Sequence, residues 1–147
     1  MNPIGSVSKK TRPFERILAI AGAGICLVVT VILSGSIGAQ QNLWPLPGLY
    51  FIEMAVLSLV CALLAFVADN PLSHFITWVS VGIFTGFSIL GAWSVGFFYL
   101  PVAVIFAVIV IRSDLRIKRH IAAHIGVWLI AGLVQVILML VVIRSLY

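Results

Sequence analysis

The sequence predicts an all-α integral membrane protein, a compact bundle of about five transmembrane helices with short loops. Of its 147 residues, 63% are hydrophobic and only 9% are charged, and the mean hydropathy is +1.24. A soluble domain carries charge on about a quarter of its residues. The chain is therefore solvated mostly by lipid, and the spacing of its apolar stretches sets the number of crossings.

The longest uncharged stretch predicts two crossings joined by a tight turn. It runs from Phe75 to Ile111, which is 37 residues. One helix of that length would reach roughly 55 Å at ~1.5 Å per residue, nearly two hydrocarbon thicknesses of ~30 Å. The turn is predicted at residues 93–96, Trp-Ser-Val-Gly, because small residues permit a reversal there. Pro101 then falls in the first turn of the returning helix, where its missing N–H costs little.

Hydropathy places five spans at residues 17–33, 49–67, 75–93, 97–111 and 121–143. The fourth is short, so its helix is expected to continue from Arg112 through Lys118. With a cytoplasmic N-terminus and an external C-terminus, eight of the nine basic residues lie inside and only Arg144 lies outside. If the uncharged stretch formed a single long third span, five basic residues would lie inside and four outside. The charge distribution therefore favours five spans, in a membrane expected to be the bacterial inner (plasma) membrane.

The chain divides into a basic cytoplasmic tail, residues 1–16, and one membrane domain, residues 17–147. Eight basic residues flank apolar spans in two clusters, which indicates binding to anionic lipid headgroups and not to nucleic acid. These residues are Lys9, Lys10, Arg12, Arg16, Arg112, Arg116, Lys118 and Arg119. Cys26 and Cys61 lie inside spans and are interpreted as small packing residues; a disulfide or metal site is the alternative.

Four glycines are predicted helix-packing positions. Gly82 and Gly86 form a G-x-x-x-G motif in span three, and Gly126 and Gly132 lie in span five. A helix face without side chains lets another helix approach closely, and packing drives helix association in lipid. The partner is either another helix of this chain or a different subunit.

Glu53 is predicted to lie inside span two, one turn after its start. A carboxylate in a span is a candidate for proton or substrate handling. A helix N-terminus stabilises negative charge, however, and Arg144 is expected at the same outer level. The favoured interpretation is an intramembrane ion pair between Glu53 and Arg144 or an interfacial carboxylate, with Gln135 as an interhelical hydrogen-bond partner.

Three histidines fall at the predicted cytoplasmic level. His120 and His124 are four residues apart on one helix face, so a metal could bridge them. His74 or His124 could also be an axial ligand of haem or chlorophyll. No cysteine or carboxylate completes a ligand set, so no metal site and no cofactor are predicted, and the histidines are expected to face solvent or headgroups. Asp114 is expected in a cytoplasmic loop, in an i,i+4 pair with Lys118.

The sequence carries no catalytic motif: there is no G-x-S-x-G elbow, no H-E-x-x-H and no P-loop. An enzyme is therefore not predicted. The favoured hypothesis is an accessory subunit of a larger bacterial membrane complex, respiratory, photosynthetic or similar, with other integral membrane subunits and lipids as partners. A small oligomeric transporter or channel is the alternative, and a haem- or chlorophyll-carrying subunit is the third. Scarcity of intramembrane polar residues favours the first.

Overall fold

A computed structural model describes residues 13–40, 42–67, 71–91, 94–117 and 121–146 of the chain. Within these residues there are five α-helices and one short 3₁₀-helix. They are α1 (Pro13–Gly38), α2 (Gly48–Leu64), α3 (Pro71–Leu90), the 3₁₀-helix (Gly96–Tyr99), α4 (Leu100–Ile117) and α5 (Ile121–Leu146). Four stretches are long and apolar enough to cross a membrane, and α2 is a shorter apolar helix. The chain is an all-α membrane protein folded as a compact bundle, as its composition predicts.

The helices extend beyond the predicted spans at several ends. α1 begins at Pro13, so the last residues of the predicted tail are helical. α4 continues to Ile117, as the short fourth apolar stretch requires. The residues before Pro13 lie outside the described part of the chain, as do Lys118, Arg119 and His120. The binding to lipid headgroups that was predicted for the lysines and arginines of these segments therefore stays a prediction.

The long uncharged stretch reverses direction between α3 and α4, close to the predicted position. The Gly96 N–H donates to the Gly91 carbonyl at 2.8 Å. A Cβ at Gly96 would lie only 2.6 Å from the Gly91 Cα, so the reversal requires glycine at this contact. Pro101 is the second residue of α4, where no hydrogen bond is lost.

α3 lies at the centre of the bundle and packs against α2, α4 and α5, whereas α1 packs against α2 and α4. Aromatic side chains fill the space between α3 and the chain that follows it. Phe84 stacks on Phe106 with ring centroids 5.7 Å apart, and Phe87 meets Tyr99 edge-on at 5.4 Å. The Tyr99 hydroxyl lies 2.9 Å from the Thr30 hydroxyl of α1, so the buried phenol has a hydrogen-bond partner.

Contacts at one end of the bundle show that successive helices run in opposite directions. The Arg16 guanidinium lies 5.3 Å from the centroid of the Phe66 ring, which joins the start of α1 to the end of α2. The Arg112 guanidinium lies 5.0 Å from the centroid of the Phe14 ring, which brings the end of α4 to the same place. The start of α1 and the end of α5 therefore lie at opposite ends of the bundle.

α5 packs against α3 through glycines. A Cβ at Gly82 would lie 2.5 Å from the Trp128 carbonyl oxygen, and one at Gly86 would lie 2.6 Å from the Gly132 carbonyl oxygen. Gly132 in turn faces the Gly82 carbonyl, which a Cβ would approach to 3.1 Å. The Trp128 indole N–H also donates to the Thr85 hydroxyl at 3.1 Å. The backbones of the two helices touch here, so no side chain fits between them.

Gly126 does not take part in this contact, and its packing against a different subunit stays a prediction. A Cβ built at Gly126 meets nothing within 4 Å. It lies six residues before Gly132, which is about 240° around the helix at ~100° per residue. Gly126 therefore faces away from α3.

Substitution of Gly86 in α3 and of Gly126 in α5 by alanine gives a matched comparison. Gly86→Ala should lower the free energy of unfolding by about 1–3 kcal/mol, because its Cβ would overlap a backbone carbonyl that cannot rotate away. Gly126→Ala should leave it unchanged or raise it by up to ~1 kcal/mol, because alanine favours the helix and has room. Thermal unfolding in detergent, followed by circular dichroism, measures both. Equal effects at the two positions would show that the α3–α5 contact is not tight.

Candidate functional site

Polar side chains of different helices meet at several places in the described structure, and two of these places contain a carboxylate. The first, which we call the Asp114 cluster, consists of Asp114, His74, Trp78 and His124. The second is a pair formed by Glu53 and Gln135. Both lie between helices and not in the connecting segments, so each links helices that are distant in sequence.

Asp114 is the centre of the first cluster and is completely buried, with 0% of its side chain exposed. The Trp78 indole N–H donates to its Oδ2 at 2.9 Å, and the His124 Nδ1 contacts the same oxygen. The His74 Nδ1 lies 3.5 Å from Oδ1. These residues come from α3, α4 and α5, so a single carboxylate joins three helices.

Helical spacing brings this cluster together. His74 and Trp78 are four residues apart in α3 and therefore share a face. Asp114 follows two buried residues of α4, Phe106 and Val110, at intervals of four, so it continues the buried face into the last turn. The prediction of a cytoplasmic loop position for Asp114 is wrong, because this residue lies in the helical continuation of the fourth span and on its buried face.

Polar side chains surround Asp114, whereas lipid or an apolar protein interior would be an unfavourable environment for a carboxylate. An isolated buried carboxylate is costly, and it persists when hydrogen bonds and an opposite charge compensate it. The indole supplies a hydrogen bond to Oδ2, and the imidazoles of His74 and His124 both face the carboxylate. The Trp78 and His124 rings also pack together, with centroids 5.9 Å apart. The cluster therefore links three helices through one buried carboxylate.

A small cavity adjoins the cluster at His74. Its volume is about 50 Å³, and its polar lining includes Glu15, Ser73, His74, Thr77 and Ser113. Glu15, in the first turn of α1, is buried here. Sequence reasoning did not single out this carboxylate, although its position just before the first apolar stretch already placed it at the end of a span. The cavity extends the polar region from α3 and α4 to α1.

Axial ligation of haem or chlorophyll by His74 or His124 stays a prediction. Against the expectation that the histidines face solvent or headgroups, His74 is only 6% exposed, and its Nδ1 faces Asp114. The adjoining cavity of about 50 Å³ is far below the ~300–1,000 Å³ of sites for molecules of drug size. Among the described residues, no group of three or more His, Cys, Asp or Glu side chains is arranged to hold a metal ion. The proposed pairing of His120 with His124 lies outside the described residues.

The two cysteines occupy buried positions in separate helices. The Cys26 thiol donates to the Met54 carbonyl at 3.5 Å, and Cys61 is also buried; both are free thiols. Cys26 and Cys61 thus contribute to the packing of α1 and α2 with the rest of the bundle.

Glu53 belongs to the second place, five residues after the start of α2. Its Oε2 accepts a hydrogen bond from Gln135 Nε2 at 3.1 Å, and Gln135 is only 4% exposed. Gln135 is thus an interhelical partner, linking α5 to α2. Arg144 is exposed and lies nine residues further along α5, about 13 Å at ~1.5 Å per residue. The structure accordingly pairs Glu53 with a neutral amide in place of Arg144.

A groove runs from Glu53 along the outer side of α3 and α5. Its volume is about 510 Å³. Apart from Glu53 and Gln135 its lining is apolar, and consists of Phe75, Val79, Ile83, Val127, Ile130, Ala131, Val134 and Leu138. The groove therefore combines a long hydrophobic wall with one carboxylate at its end.

No protein-family model matches this chain, and no curated protein or solved structure is significantly similar to it. The fold defines a class, the polytopic helical membrane proteins. Any more specific function has to be argued from the residues themselves.

Substitutions at Asp114 should separate the loss of a charge from the loss of a hydrogen-bond acceptor. Asp114→Ala should lower the free energy of unfolding by about 3–5 kcal/mol, because it leaves the buried indole and imidazoles without their acceptor. Asp114→Asn keeps a carbonyl oxygen and should cost about 1–3 kcal/mol. Thermal unfolding in detergent measures both, with Leu115→Ala as an exposed neighbouring control. An Asp114→Ala protein as stable as that control would exclude an anchoring role.

Proposed function

We propose that the chain is a non-catalytic accessory subunit of a larger membrane protein complex in the bacterial inner membrane. It supplies helix surfaces and lipid contacts to other integral membrane subunits. The observation that carries the proposal is a pair of glycines on α1 that contact nothing within the chain.

Gly24 and Gly35 share one face of α1. They are eleven residues apart, which is close to three full turns. A Cβ at either position meets nothing within 4 Å, whereas the glycines between α3 and α5 are filled by backbone. Val28 and Val31, which lie between them, are 58% and 68% exposed. The face is therefore apolar, shallow and open.

Unfilled glycines in a helix need a reason. Each costs up to ~1 kcal/mol relative to alanine, and packing within the chain offsets nothing at Gly24 and Gly35. In lipid, small residues at an exposed face let a second helix approach until the backbones touch. A helix of another subunit against this face would provide the contacts that the isolated chain lacks.

The periphery of the bundle supports the same proposal. Only 22% of the most apolar window of α1 and 11% of that of α5 are buried inside the protein. Most residues of these two helices are thus at least partly exposed to lipid or to partners. The carboxylates Asp114 and Glu53, by contrast, contact side chains of other helices, which favours a structural role over a catalytic one.

The orientation proposed from the positive-inside rule places the start of α1 and the end of α4 in the cytoplasm. Arg16 and Arg112 lie at this end of the bundle, each against an aromatic ring. Their positions are compatible with binding anionic headgroups at the membrane surface. The end of α5 and Arg144 are then external.

A small oligomeric transporter is the second candidate, and Glu53 favours it. A carboxylate inside a span and beside an open groove is the feature that transport of a proton or a cation would use. A haem- or chlorophyll-carrying subunit, with His74 or His124 as the axial ligand, is the third candidate, and no observation in the structure favours it over the other two.

Replacing both exposed glycines of α1 tests the accessory role. Gly24→Leu with Gly35→Leu should leave thermal unfolding unchanged, because both side chains have room, while the protein purified in mild detergent loses its partners. Size-exclusion chromatography and mass spectrometry of the affinity-purified protein measure this loss. Val31→Leu, on the same face but already bulky, is the control and should retain the partners. Wild-type protein that purifies alone would exclude the accessory role.

The orientation can be tested with introduced cysteines, because Cys26 and Cys61 are buried. In intact cells, Ser145→Cys at the exposed end of α5 should react with a membrane-impermeant maleimide. Ser8→Cys should react only after the membrane is opened. The opposite pattern would reverse the proposed orientation.

A further inference from the structure

We infer that the groove between α3 and α5 binds a membrane-soluble primary amine, with the ammonium group at Glu53 and the apolar chain along the groove. This inference goes beyond the accessory role and does not depend on it.

The size and shape of the groove fit a small molecule. Its volume of about 510 Å³ lies within the ~300–1,000 Å³ range of ligand sites. The α5 wall extends from Val127 to Leu138, which is about 16 Å at ~1.5 Å per residue. A transmembrane helix would need a contact surface nearly twice that long. An alkyl chain fits the available length.

Glu53 has no basic side chain as a partner among the described residues. Its hydrogen-bond partner Gln135 is neutral and satisfies Oε2 only. Arg144, the basic residue of α5, is exposed beyond the groove. A carboxylate at the edge of hydrocarbon is stabilised by a cation that brings its own hydrogen-bond donors. A primary ammonium group does both.

The lining supplies too few oxygen ligands to hold an inorganic cation stably as the occupant. Calcium and magnesium need about six oxygen ligands, and alkali cations likewise need several. The groove offers side-chain oxygens from Glu53 and Gln135, and its other lining residues are apolar. These apolar residues would contact a hydrocarbon chain over its whole length. The chemistry of the groove thus matches an amphiphile with one positive end.

Binding of dodecylamine tests the inference directly. The protein is placed in phosphatidylcholine nanodiscs, which contain no primary amine, and radiolabelled dodecylamine is titrated in a scintillation proximity assay. We expect saturable binding above that of empty nanodiscs. Dodecanol, the neutral analogue, should bind at least about tenfold more weakly, because a hydrogen bond to a charged group is worth about 1.5–3 kcal/mol.

Three variants distinguish the contribution of the Glu53 carboxylate from that of the apolar lining of the groove. Glu53→Gln should weaken dodecylamine binding about tenfold or more and leave dodecanol binding unchanged. Ile130→Trp should weaken both by filling the groove, whereas Ile137→Trp, on α5 outside the groove, should weaken neither. Ile130 and Ile137 are 65% and 50% exposed, so both variants have room to fold.

Three results would overturn the inference. The first is wild-type binding no greater than that of empty nanodiscs. The second is a folded Glu53→Gln protein that binds the amine as wild type does, as expected if Glu53 serves only to accept a proton. The third is an equal effect of Ile130→Trp and Ile137→Trp. Since Gly24→Leu with Gly35→Leu lies on α1, it should not alter amine binding, so failure of this inference leaves the accessory role intact.

Discussion

The bundle depends on how closely α3 can approach its neighbours. Between helices in lipid there is no hydrophobic driving force, so association depends on packing and on interhelical hydrogen bonds. α3 provides both along one side: His74, Trp78, Gly82 and Gly86 follow one another at intervals of four residues. The first two bind the Asp114 carboxylate, and the last two bring the backbone of α5 into contact. Along this side of α3, two polar side chains are thus followed within four turns by two glycines, which leave the backbone uncovered.

The two kinds of contact support each other. Interhelical hydrogen bonds in membranes are individually modest, about 0.6 kcal/mol on average, so no single hydrogen bond of the Asp114 cluster fixes the three helices. The glycine contact supplies many small attractions but little directional preference. Asp114 and His124 fix the relative position of α4 and α5 at one end, where those helices have few other contacts. Together they determine one arrangement of α5 on α3.

Hydropathy and charge were sufficient to predict the helices and their order. The length of an apolar stretch and the positions of basic residues can be read directly along the sequence. The faces of the helices were harder to predict. In a soluble protein, polarity marks the exposed side, but lipid and protein interior are both apolar, and α5 is apolar all round. Nothing in the sequence therefore distinguished Gly132, in contact with α3, from Gly126, which faces outward. Asp114 was misplaced for a related reason, since a charge beside Arg112 and Arg116 has the composition of a loop.

The arrangement of contacts has a consequence for biogenesis. α1, α2, α3 and α4 form a closed ring, in which each helix touches the next and α4 returns to α1, whereas α5 lies outside it against α3. α5 is the last helix to be synthesised, so the ring can close before α5 docks on α3. At that stage the seam at Gly82 and Gly86 is open to lipid, and Asp114 has not yet met His124. A chain in this state displays a carboxylate and bare backbone that the finished bundle covers.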